Sequence, residues 1–127
     1  MAEPIAFISH FRVKQGKASA IREMFAAGAT QLAVAKPRTA AFLGYLDDQG
    51  TQLTIVHVFP DAAAMDLHFE GADERSQAAY ELFEPSGWEI YGNPSPAALE
   101  IVSREAAAAG VPLALATDWL GGFSRPS

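Results

Sequence analysis

The chain has 127 residues, half of them hydrophobic, a net charge of −6 and no cysteine. That length and apolar content suit one folded domain with its own core, and the missing cysteine excludes disulfides, thiol nucleophiles and Cys-based metal sites. An acidic chain without a basic stripe is not expected to bind nucleic acid, and no apolar run approaches the ~20 residues of a membrane span. The start, MAEPIAFISHF, lacks a basic segment followed by a long apolar run. No signal peptide is therefore expected, and the cytoplasm is the expected compartment. Charge is uneven: residues 1–40 hold six Lys/Arg and two Glu, a balance of +4, and the remainder holds three Arg and thirteen acids, a balance of −10. Solvated helix faces account for such a pattern; so does attraction between the two halves, within a chain or across a dimer.

Residues 5–13 alternate as a strand, with Phe7, Ser9, Phe11 and Val13 on one side and Ala6, Ile8, His10 and Arg12 on the other. Both sides carry apolar residues, as in a strand covered on both faces. Lys14-Gln15-Gly16-Lys17 turns into a helix whose Ile21, Phe25, Gly28/Ala29 and Leu32 recur every three to four residues. It ends before Lys36-Pro37, because proline disfavours the helical state in the residue before it. Residues 39–47 predict a second strand and residues 51–59 a third, joined by the tight turn Asp47-Asp48-Gln49-Gly50 into a hairpin.

Pro60 stops the third strand, and Asp61 is a good N-cap for a helix over 62–70, in which Met65 and His68 share a side. Gly71 breaks it, and Asp73 caps a further helix over 74–83. Glu84-Pro85-Ser86-Gly87 reads as a loop, and 88–91 as a short fourth strand. Ser95-Pro96 is an N-cap with proline at the first helical position, opening a helix over 97–109 that Gly110 stops. Residues 111–117 add a possible fifth strand, which Pro112 confines to an edge. The tail DWLGGFSRPS is expected to wrap the surface or a partner.

The order β-α-β-β-α-β, followed by an extra helix and possible strand, predicts an α+β, ferredoxin-like fold. Residues 1–127 form a single domain, with a core at 5–91 and a C-terminal extension at 92–127. Helices cover one sheet face. The other is too apolar for water and is expected to pack on a second copy, giving a homodimer.

With these elements in place, the chain resembles the antibiotic-biosynthesis-monooxygenase-like domains of the dimeric α+β barrel superfamily. The likeness spans residues 5 to about 91. It rests on the first strand running into Lys14-Gln15-Gly16-Lys17, and on the third strand followed by Pro60-Asp61 and a helix bearing His68. Family members often carry a strand-end Trp, a polar helix start and a helix histidine about nine residues later; here these positions hold Phe59, Asp61 and His68. His57 stands where the family often has Glu. The resemblance implies cofactor-free oxygenation of quinol-like or polyketide aromatics. Of the Asn, Trp and His that the haem-degrading branch uses, only the His is matched, by His68; His10 and Phe59 occupy the other two positions.

The residues themselves allow that chemistry. A histidine near its ordinary pKa can take a phenol or quinol proton at neutral pH, leaving an electron-rich anion able to reduce oxygen. His57, His68 and His10 are the candidate catalytic residues, and Phe59, Tyr45, Phe42 and Trp88 the candidate substrate-binding residues. Tyr91 could join that aromatic pocket. The alternatives are hydrogen-bonded structural histidines and aromatics that only fill the core and the dimer contact. Positions 10, 57 and 68 contain no H-x-H or H-x₃-H pair, so no metal is expected, and no cofactor is called for. The functional expectation is a cofactor-independent monooxygenase-like protein acting on a small aromatic or quinol. Its alternative is a non-catalytic dimeric module that binds a small ligand.

Overall fold

The computed structural model describes residues 3–125; Met1, Ala2 and the last two residues of the tail, Pro126 and Ser127, lie outside the described residues. The elements run β1 (Ile5–Val13), α1 (Ala18–Ala35), β2 (Ala41–Leu46), β3 (Gln52–Phe59), α2 (Ala62–Phe69), α3 (Ala72–Ala79), β4 (Phe83–Tyr91), α4 (Pro96–Ala109) and β5 (Leu113–Ala116). They form one sheet in the order β2-β3-β1-β4-β5. The first four strands pair antiparallel, with β1 central, which is the ferredoxin-like arrangement expected from the order of elements. β5 lies parallel to β4 at the edge. A parallel neighbour needs a crossover, and α4 supplies it. Among the described residues, no helix is long and apolar enough to cross a membrane.

The hairpin forms for local reasons. The Asp47 carboxylate accepts from the Thr51 and Gln52 amides at 2.7 and 3.0 Å and from the Thr51 hydroxyl at 2.8 Å. Gly50 takes a φ of +69°, a conformation open to glycine.

Two predicted boundaries are corrected. The helix expected over 74–83 is α3, Ala72–Ala79, entered through Gly71 at φ +79°. The expected loop 84–87 belongs to β4, which begins at Phe83. The register between β1 and β4 shifts at His10/Phe11, where His10 pairs with Gly87 and Phe11 with Pro85. Proline and glycine inside a strand commonly mark such a bulge, so their presence did not signal a loop here. Thr39 also falls outside β2, in the turn that follows α1.

The side chains of Ile5, Phe7 and Phe11, with Leu53 and Phe59 of β3 and Trp88 and Ile90 of β4, form the buried face of the sheet. Ile21 of α1, Ala64 and Met65 of α2, and Ala98, Val102 and Ala106 of α4 close over it. On the opposite face, Ala6, Ile8, His10, Val56 and Val58 are only half-buried, and Leu43, Tyr45 and Tyr91 are exposed. α1 is held lightly: of its residues only Ile21 is fully buried.

Candidate active site

Strand β3 delivers His57 to the helix-covered face because His57 pairs with Phe7 across the antiparallel ladder, and paired residues share a face. The Pro60-Asp61 turn then brings α2 back over the same face. Asp61 fixes that return: its side chain accepts from the Ala64 amide at 2.8 Å and from Arg38 at 2.5 Å. His68, in the last turn of α2, thus comes down onto His57, with ring centroids 5.0 Å apart and planes at 77°.

Phe42 and Phe59 complete the group. Phe42 lies 5.2 Å from His57 and 6.1 Å from His68, and Phe59 lies 5.9 and 5.3 Å from the same two rings. Phe7 packs on His57 at 5.1 Å, and Phe25 of α1 stacks on Phe42 at 4.9 Å. The result is an edge-and-face aromatic cluster around two imidazoles.

Both imidazoles are buried, and both are held neutral. Burial drives the His57 pKa down to about 3, and nearby His68 adds to the effect. The His57 Nδ1 lies 3.2 Å from the Phe7 carbonyl. A carbonyl only accepts, so Nδ1 carries the proton and Nε2 keeps its lone pair. Burial likewise lowers His68 to about 4, helped by the positive charges of Arg75 and Lys36. Those two cations are there for a structural reason. Arg75 donates to the His68 carbonyl at 2.6 Å and the Glu70 carbonyl at 3.1 Å, and Lys36 donates to the Leu67 and Glu70 carbonyls at 2.7 and 3.0 Å. They satisfy the carbonyls left open at the end of α2. The Thr39 hydroxyl lies 2.8 Å from His68 Nδ1 and orients the ring.

A cleft of about 140 Å³ opens beside His68, lined by Lys36, Arg38, Thr39, Ala64, Leu67 and neighbouring residues. His68 is the member of the pair that borders it.

Of the residues singled out in the sequence, His57, His68, Phe42 and Phe59 come together; His10, Tyr45 and Trp88 do not join them. His10 and Tyr45 pair with Thr54 in adjacent ladders and share the opposite sheet face. There His10 Nε2 meets a Glu89 carboxylate oxygen at 2.5 Å, while Tyr91 donates to the other at 2.5 Å. Trp88 is on the helix-covered face but packs in a second aromatic group with Phe11, 6.3 Å away. Sequence reasoning did not single out Thr39, Lys36 or Arg75, whose contacts depend on where α2 ends.

No family model and no curated protein sequence matches the chain. Solved structures do. MupZ from Pseudomonas fluorescens superposes with a TM-score of 0.73 at 18% identity, covering 98% of this chain and 96% of that one. SnoaB, a cofactor-independent oxygenase from Streptomyces nogalater, gives 0.60 at 18% identity over 74% of this chain and 96% of its own. A candidate antibiotic biosynthesis monooxygenase from Bacteroides thetaiotaomicron gives 0.55 at 10% identity, covering 64% of this chain and 80% of that one. At 98% coverage the likeness to MupZ takes in α4, β5 and most of the tail. The chain therefore has the α+β, ferredoxin-like fold of the antibiotic-biosynthesis-monooxygenase-like domains.

Proposed function

We propose that the chain is a cofactor-independent monooxygenase-type enzyme acting on a small aromatic or quinol substrate, with His57 and His68 as its polar centre. The observation that carries this reading is the pair of neutral imidazoles inside an aromatic cluster, one of them bordering a cleft. The aromatic cluster backs His68, while the cleft itself is lined by Lys36, Arg38, Thr39, Glu70 and the apolar Ala64 and Leu67. An aromatic ligand would thus meet polar and cationic groups at its rim and the rings behind His68. In the tautomer that donates Nδ1–H to the Thr39 hydroxyl, His68 keeps the Nε2 lone pair for a substrate hydroxyl. Proton transfer creates an imidazolium beside a phenolate or enolate. The attraction between these charges offsets the burial that otherwise opposes a charged ring. The anion then passes an electron to oxygen. In the overall change one CH₂ of the enolised substrate becomes a carbonyl, one oxygen atom remains there and the other leaves as water. The substrate supplies all the electrons.

The same cleft without turnover is the second reading. It is favoured by size, since about 140 Å³ is below the ~300 Å³ at which ligand sites begin. Turnover of an aromatic requires α1 to yield, and its light anchorage at Ile21 permits that. We also assign a second copy of the chain to the open sheet face, where Leu43, Tyr45 and Tyr91 are exposed.

Oxygen uptake with a panel of quinols and anthrone-like phenols, run with and without air, tests the enzymatic reading. The expected result is oxygen-dependent product, reduced ~10²-fold or more in His68→Ala, the scale of a lost general base. Saturable binding without oxygen uptake selects the second reading.

A further inference from the structure

The C-terminal tail carries apolar side chains that the described residues of its own chain do not bury. Among the described residues its last hydrogen bonds to the body of the chain are the Gly92 amide on the Ala116 carbonyl at 2.9 Å and the Asn93 side chain on the Thr117 carbonyl at 3.1 Å. Beyond these the tail crosses the end of the sheet. Trp119, Leu120 and Phe123 remain 41%, 93% and 78% exposed. The tail stands off the sheet across a groove of about 440 Å³, whose floor includes Ala6, Val58 and Tyr91. Those three form one rung of the open face, since Ala6 pairs with both Val58 and Tyr91. Tail and open face therefore make one continuous apolar surface.

Area gives the occupant. A folded monomer of 13.5 kDa exposes about 6500 Å². This chain exposes 7873 Å², an excess of about 1400 Å² over that scaling. A standard interface needs about 800 Å² from each partner, so the sheet face and the tail together suffice for a stable dimer. A two-fold axis also presents the same patch on both copies.

We propose that the tail is a dimerisation arm: Leu120 and Phe123 of one copy pack against the open sheet face and groove of a second copy, extending the sheet-to-sheet contact beyond the strands. This rests on the homodimer assigned above and adds to it a specific segment and two anchor residues. Charge does not oppose the contact, since the tail carries one acid, Asp118, and one base, Arg125, whose guanidinium lies 4.5 Å over the Phe123 ring.

Sedimentation equilibrium over a range of concentrations tests it, on the full-length wild type, the double variant Leu120→Asp/Phe123→Asp, Leu43→Glu on the edge strand β2 of the same face, and Val34→Ser. Val34 is 82% exposed on α1 and serves as a remote control. Leu120 and Phe123 are so exposed that changing them leaves the folding of a single chain intact, which circular dichroism would verify. The expected result is a dimer whose dissociation constant rises at least about thirtyfold in the tail variant, the scale of an interface anchor. Leu43→Glu should also weaken it, and Val34→Ser should leave it unchanged. If Leu43→Glu dissociates the dimer and the tail variant does not, the arm is overturned and the sheet-to-sheet dimer stands. A monomeric wild type at all concentrations overturns both.

Discussion

His57 and His68 stay neutral because charging either one inside the aromatic cluster would strand a cation away from water, and this has a measurable cost in acid. In the unfolded chain each ring titrates near 6.5; in the fold His57 and His68 take a proton only near pH 3 and pH 4. Between those values the unfolded state binds more protons. Their contribution is complete above pH 6.5 and is lost as the pH falls toward 4 and then 3, at about 1.4 kcal/mol per pH unit for each ring. Urea unfolding should therefore give a stability about 3–4 kcal/mol lower at pH 5 than at pH 7, and His57→Leu should roughly halve that slope. Arg75→Met removes one of the charges that depress His68, and its pKa, followed by NMR, should rise. Gly44 matters at the same site in another way. A Cβ there would lie 2.4 Å from the Phe25 ring, so Gly44→Ala should push Phe25 off Phe42 and cost about 1–2 kcal/mol, the range for modest overpacking, readable by thermal unfolding. The sequence carried the His57–His68 pairing, because strand, turn and helix are contiguous. His10 was harder to assign. Its alternation with Phe7 was legible, but the face it shares with β3 depends on register, and a shift of one residue would exchange the faces.

Elements whose ends are set by local chemistry were readable; those set by distant pairing were not. α4 belongs to the first kind. The Ser95 side chain accepts from the Ala98 amide at 3.1 Å, its hydroxyl donates to Asp66 of α2 at 2.6 Å, and Pro96 follows. Ser95→Ala should cost about 1 kcal/mol, the usual value of an N-cap, and lower the melting temperature by about 3–5 °C for a chain of this size. Ser95→Asp, which keeps the cap but places a second carboxylate beside Asp66, should restore only part of it. β4 belongs to the second kind. Its first half contains Pro85 and Gly87, which locally favour a turn, and it becomes a strand only because β1 is long enough to pair with it from Ala6 to Val13. Such non-local pairing overrides propensity and leaves no periodic trace in the segment itself. The α3 boundary moved for the same reason, since β4 takes Phe83, which helical spacing had assigned to the helix.

At the scale of the whole molecule, the sheet divides the two kinds of polar group. The helix-covered face holds the neutral His57–His68 pair, and the open face holds the hydrogen-bonded His10–Glu89–Tyr91 cluster amid Ala6, Ile8, Val56 and Val58. A second copy on the open face would bury that cluster with His10 Nε2, both Glu89 oxygens and the Tyr91 hydroxyl already paired, which limits the desolvation penalty that unpaired charges would impose. Dimerisation by this face leaves the cleft at His68 free, because the cleft opens on the other side. Assembly and substrate entry are then compatible, and the lightly held α1 can move without disturbing the dimer. Association that favours only the folded state also stabilises it by mass action, so the melting temperature becomes concentration-dependent. The wild type should melt higher as its concentration is raised a hundredfold, by about 2.7 kcal/mol of added stability when the range lies well above the dissociation constant. Leu43→Glu, which places a charge on the β2 side of the proposed contact, should melt with a smaller dependence on concentration. A wild-type melting temperature that does not move with concentration would place the apolar open face in solvent, and the excess surface of the chain would then need another partner.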